Sequence, residues 1–235
     1  MAIKAILFDL DGTLLPMDQE EFMKIYFGQL AICLAPFGYE PKQLVDSVWA
    51  GTRAMVKNDG SKTNEEAFWT KFSELYGKDC RKDEPIFDAF YRKEFVKAKE
   101  ACGFQPKAKE IIEFLKAQGK IVILATNPLF PQIATENRIR WAGLSKEDFL
   151  FYTTYEYSSY CKPNPKYYEE ILERAGLLPE ECLMVGNDVR EDMVAATVGM
   201  HVFLLTDCLL NPKQLDYSMY PQGGFEELME YLKKI

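Results

Sequence analysis

From Gly103 onward, short apolar runs alternate with amphipathic segments. A chain satisfies that pattern most simply by laying the runs side by side as a parallel sheet and packing the segments over its faces. Residues 121–125, 182–185 and 202–205 are continuous apolar runs of strand length, and 149–154 is a weaker strand candidate. Residues 106–118, 128–140, 165–175, 190–198 and 225–234 carry helix signals, with Gly119 suited to cap the first of them. Residues 2–8 supply one further buried strand, far upstream. Right-handed crossovers between parallel strands bring their C-terminal ends to one edge, and ligands of open α/β sheets bind along that edge.

Between residue 18 and about residue 101 the texture changes. Aromatic, Lys and Glu residues dominate, and apolar side chains recur at helical spacing, as in Phe22, Ile25, Tyr26, Gln29 and Leu30, or Phe87, Phe90, Tyr91 and Phe95. Asn58-Asp59-Gly60 and Gly77 punctuate these stripes as turns. The expected fold is therefore α/β, a Rossmann-like doubly wound parallel sheet formed by residues 1–16 and 103–235, with residues 17–102 inserted as an all-helical cap. Trp49, Arg53 and Lys57 share one helical face in that insertion, which suits either an anion-reading surface or a solvated one.

Composition narrows the function classes. The chain has 235 residues, 48% hydrophobic and 27% charged, enough to bury a core without disulfide staples. A formal net charge of -8 argues against nucleic acid and against an anionic membrane surface as partners. Six cysteines form no CxxC pair and no zinc spacing, and residues 1–8 are too short for a signal sequence, so a cytoplasmic protein with reduced thiols is expected. The single histidine, His201, opens an apolar strand and reads as structural.

The residues just past each strand carry the chemistry. After the first come Asp9, Asp11, Gly12 and Thr13; after 121–125 come Thr126 and Asn127; after the 149–154 segment, at a longer interval, comes Lys162; after 182–185 come Gly186, Asn187 and Asp188, with Asp192 four residues on. On one sheet edge these would gather several carboxylates, a hydroxyl, an ammonium and exposed backbone N–H groups. Crowded carboxylates raise one another's pKa unless a cation intervenes, and oxygen-only ligands favour Mg²⁺. A metal beside those donors makes a cage for a phosphoryl group. One carboxylate can then attack as a nucleophile while another moves the proton. In Asp9-Leu10-Asp11, residues two apart on an extended chain point to the same side, and Gly12 allows the sharp turn away.

These residues also carry a resemblance. Asp9-Leu-Asp-Gly-Thr13, Thr126, Lys162 and Gly186-Asn-Asp-Val-Arg-Glu-Asp192 resemble, in order and spacing, the four motifs of the haloacid dehalogenase superfamily of phosphohydrolases, and the helical insertion resembles that family's cap. The resemblance implies a Mg²⁺-dependent phosphatase, a phosphoric monoester hydrolase acting on a small phosphorylated metabolite as a monomer or weak dimer. Asp9 would be nucleophile and metal ligand. Asp11 would be general acid/base and bind the metal through its backbone carbonyl. Thr126 and the Asn127 N–H would hold phosphoryl oxygens, and Lys162 would neutralise nucleophile and phosphoryl group. Asp188 would complete the metal site with Asp192 in support, and Asn187, standing where the common form has Asp, is the alternative ligand. A phosphomutase of the β-phosphoglucomutase kind shares these features. A dehalogenase lacks the second Asp of the first motif, so Asp11 counts against one, and an intact residue set counts against a non-catalytic binding module.

Overall fold

The computed structural model describes residues 2–235. Five parallel strands form one sheet in the order β2-β1-β3-β4-β5: β1 (Ala5–Phe8), β2 (Ile121–Leu124), β3 (Cys182–Gly186), β4 (His201–Leu205) and β5 (Gln222–Gly223). β1 is central, although it comes first in the chain. It is apolar throughout because both its faces are covered: Ile6 and Phe8 join the cluster on one face, and Ala5 and Leu7 the cluster on the other. Helices α5 (Pro106–Ala117), α6 (Gln132–Trp141) and α8 (Phe225–Leu232) contribute to the first cluster, and α7 (Pro165–Ala175) with the 3₁₀ turn Met193–Val198 to the second. This is the doubly wound α/β architecture expected from the strand–helix alternation.

Two expected elements differ. Residues 149–154 do not form a regular strand. The segment runs beside β2, with Leu150 and Thr153 donating to Val122 and Leu124 carbonyls and Phe151 accepting from Leu124, but only Tyr152 makes a ladder bridge. Leu150 is 60% exposed, while Phe149 and Tyr152 pack in the cluster on one face and Phe151 in that on the other, so the segment lines the edge of β2 without continuing its ladder. Residues 190–198 are a turn followed by 3₁₀ helix rather than α-helix, because the Asp188 carboxylate takes the Arg190 and Glu191 N–H groups in a tight local turn. The short edge strand β5 had no apolar run to reveal it.

The stretch between β1 and α5 is helical: α1 (Gln19–Leu34), α2 (Pro41–Val56), α3 (Asn64–Tyr76) and α4 (Glu84–Lys93), with a closing 3₁₀ segment Glu94–Ala101. Asp18 caps α1, and a Thr63–Glu66 capping box starts α3. The entering and leaving chains pair at Met17 and Cys102, with Asp18 donating to Ala101 and Gly103 to Pro16. Phe95 lies at the centre of the insertion's packing, its ring 5.3 Å from Trp141 of α6 and 6.2 Å from Phe130. One apolar cluster thus runs from the insertion into one face of the sheet.

Candidate active site

Register builds the site. Phe8 pairs with Leu124 on one side and with Val185 on the other, so the adjacent strands β2, β1 and β3 end together. Asp9, Thr126 and Asn187 therefore emerge side by side and line one cavity of about 250 Å³ with Asp11, Asn127, Asp188, Glu191 and Asp192. Gly12 turns the chain with φ +88, and a Cβ there would strike the Asn187 side chain.

Lys162 is fully buried between two carboxylates. Its Nζ lies 2.8 Å from Asp9 Oδ1 and 2.6 Å from Asp192 Oδ1. Burial works to lower its pKa, but Asp192 and Asp9 more than offset that and raise it. Burial pushes the Asp192 carboxyl up, to about 6, against the pull of Lys162. The two directions favour opposite partners, yet both leave the pair ionised at neutral pH, in keeping with the 2.6 Å contact. The other Asp9 oxygen accepts from the Thr13 hydroxyl at 3.3 Å, and that hydroxyl also faces Asn187 Oδ1 at 3.0 Å. Asp192 Oδ2 accepts from the Asp188 N–H at 2.9 Å and packs so closely on Gly186 that a Cβ there would overlap its carboxylate.

Sequence reading assigned no role to two participants, Arg138 and Glu191. Arg138, 1% exposed on α6, forms an ion pair with Asp11 Oδ2 and lies over the Phe130 ring at 4.5 Å. Burial raises the Asp11 pKa, with Arg138 opposing and Asp9 adding to the rise, and Asp11 Oδ1 is buried without any partner. The signal for Arg138 was its phase: it shares a helical face with Ala134 and Trp141, both buried. Glu191 accepts from Asn127 Nδ2 at 2.9 Å, and burial raises its pKa to about 7. Asn127 Oδ1 faces the Lys162 N–H at 3.3 Å, so this side chain braces two loops of the site together. Thr13 was legible only as part of its motif.

The other sequence candidates fall outside the cavity. His201 is exposed at the start of β4. Arg53 and Lys57 are exposed on α2, while Trp49 of the same face packs 5.5 Å from Phe27, so the three do not converge. All six cysteines are free. Among the described residues no helix is long and apolar enough to cross a membrane, and no three His, Cys, Asp or Glu side chains stand ready to enclose a metal by themselves.

Residues 3–198 match the family model of haloacid dehalogenase-like hydrolases. The chain belongs to that family of hydrolases. A phosphoglycolate phosphatase from Vibrio parahaemolyticus is 28% identical over 208 residues, covering 87% of this chain and 84% of that protein. The fold matches a HAD phosphatase from Thermococcus onnurineus (TM-score 0.59, 21% identity, 98% of both chains). It also matches a 2-haloacid dehalogenase from Pseudomonas syringae (TM-score 0.65, 20% identity, 99% of both). At these identities the two structures speak for the fold alone.

Proposed function

We propose that the protein is a phosphatase that removes the phosphoryl group from a small phosphorylated metabolite through a covalent intermediate on Asp9. The observation that carries this reading is the clamp on Asp9. One oxygen meets the Lys162 ammonium and the other the Thr13 hydroxyl, so a carboxylate at the end of a rigid central strand has a fixed plane and a compensated charge. The name of the Vibrio relative and the family membership support phosphate-ester chemistry over other hydrolyses.

In this mechanism an Asp9 oxygen attacks phosphorus as the ester oxygen departs. Asp11, its pKa raised by burial, gives that oxygen a proton and later takes one from the water that cleaves the acyl phosphate. Thr126 and the Asn127 N–H receive the phosphoryl oxygens, and Lys162 offsets their charge.

The donor set fits Mg²⁺. Five carboxylates line the cavity against two buried cations, and all available ligands are oxygens. Asp9, the Asp11 carbonyl, Asp188 and Asn187 would hold the ion. Asn187 belongs in this set because its amide oxygen shares the Thr13 hydroxyl with Asp9, while one Asp188 oxygen is taken up by backbone N–H groups. Bound Mg²⁺ supplies neutralisation of phosphoryl charge.

The helical insertion, residues 17–102, acts as the cap. Met17, Gln19, Phe22 and Met23 form one wall of the cavity, so the insertion shields the reaction from water. Replacing Asp9 by Asn should abolish hydrolysis of p-nitrophenyl phosphate with Mg²⁺ while far-UV circular dichroism stays that of the parent. Turnover at the parent rate would overturn the mechanism.

A further inference from the structure

Past Phe130 the acidic cavity opens toward a second one of about 160 Å³, enclosed between the helical insertion and the loops after β2. Met23, Leu129 and Phe130 line both. The walls of the second cavity are aromatic, with Tyr26, Trp49, Phe68, Trp69 and Tyr155 among them. Among the described residues no Lys or Arg lines either cavity; the charged side chains facing the aromatic one are Glu84 and Asp88. Trp69 is 4% exposed, and the Tyr155 hydroxyl stands beside its indole N–H. The Trp69 ring packs 5.2 Å from Phe87 and 5.4 Å from Phe68, so the aromatic wall is held rigidly.

We propose, resting on the phosphatase reading above, that the aromatic cavity receives the alcohol part of the substrate, and that the substrate is a phosphate monoester whose alcohol carries a compact apolar ring and no second anionic group. Aromatic walls reward burial of a flat apolar group. A carboxylate there would be desolvated beside Glu84 and Asp88 with no cation to receive it. The preference thus departs from what the Vibrio relative's name states for that protein: phosphoglycolate carries a second anion.

Three alkyl monoesters with similar leaving groups test this: benzyl phosphate, ethyl phosphate and phosphoglycolate, each assayed for phosphate release with Mg²⁺ alongside p-nitrophenyl phosphate. The full chain should show a kcat/KM for benzyl phosphate about ten- to hundredfold above ethyl phosphate, as burial of one ring supplies, and further above phosphoglycolate. Thr52→Trp, which fills the aromatic cavity from a position outside the acidic one, should lower the benzyl-to-ethyl ratio by about tenfold. Asp88→Lys should raise phosphoglycolate relative to benzyl phosphate. Equal use of benzyl and ethyl phosphate, or preference for phosphoglycolate, by a chain active on p-nitrophenyl phosphate would overturn the substrate class and leave the phosphatase reading standing. Failure to hydrolyse any of the four would overturn both. Should Thr52→Trp not fold, the parent's ratios decide the matter.

Discussion

Replacing Lys162 by Met tests the electrostatic logic of the site most directly. Methionine fills much of the same volume but removes the ammonium. Asp9 and Asp192, held at 2.8 and 2.6 Å from Nζ and both buried, would then face one another without a counter-charge. Breaking a buried pair by deleting one partner costs about 3–5 kcal/mol. For a chain of this size each kcal/mol lowers Tm by roughly 2–4 °C, so a fall of roughly 6–20 °C at pH 8 is expected. The loss should also depend on pH. Burial already raises the Asp192 carboxyl to about 6 against the pull of Lys162, and losing that pull raises it further above its unfolded value near 4, so its protonated form stabilises the fold at low pH and that stability drains away as pH rises through the raised value. The gap in Tm between parent and variant should therefore be smallest near pH 5 and widest near pH 8. Differential scanning calorimetry in metal-free buffer at both values reads this out. Hydrolysis of p-nitrophenyl phosphate should fall by at least about 100-fold. A Tm loss below about 2 °C at pH 8, or a gap that does not change with pH, would refute the argument that Lys162 compensates two buried carboxylates.

Other perturbations probe the same geometry. Glu191→Gln should raise Tm relative to the parent as pH goes from 5 to 8, because the folded-state pKa of Glu191 is raised to about 7 and its protonated-state stability is lost across that window, whereas Gln has no proton to lose; thermal melts at several pH values check this. Gly186→Ala pushes a methyl group into the Asp192 carboxylate and should cost about 1–3 kcal/mol in urea unfolding while lowering turnover through displacement of Lys162. Arg138→Met leaves Asp11 without its cation and should cost about 2–3 kcal/mol by the same measurement, less than a wholly buried pair because Asp11 opens onto the cavity.

The sheet was legible because its strands are buried on both faces and so are apolar without interruption. Ala5–Phe8 and Cys182–Gly186 have no exposed residue. Residues 149–154 misled because a lining segment with one partner and a 60% exposed leucine uses strand-like residues without strand geometry. The convergence of Asp9, Thr126 and Asn187 was readable from where strands end, whereas Lys162 reaches them from a loop that follows no regular strand. Arg138 was not, because an arginine on an amphipathic helix ordinarily lies in water; only the Asp11 carboxylate, more than a hundred residues upstream, explains why this one is buried. The helix expected from residue 128 starts at Gln132, after Pro131, because the intervening residues turn back to wall the cavity with Leu129 and Phe130. The role of Asn127 as a brace was likewise invisible, since it depends on Glu191 and on the Lys162 backbone arriving together.

The central position of β1 also sets a timetable for the growing chain. Its sheet neighbours are Ile121–Leu124 and Cys182–Gly186, so the strand bearing Asp9 has no ladder partner until more than a hundred further residues have left the ribosome. At about 5–20 residues per second that is a wait of roughly 6–23 seconds. During it the helical insertion, all of whose helices lie between β1 and β2 in sequence, can form while Ala5–Phe8 remains an unpaired apolar strand. The strand made first waits longest for its first partner, and molecular chaperones that bind short apolar segments have that whole interval in which to engage it.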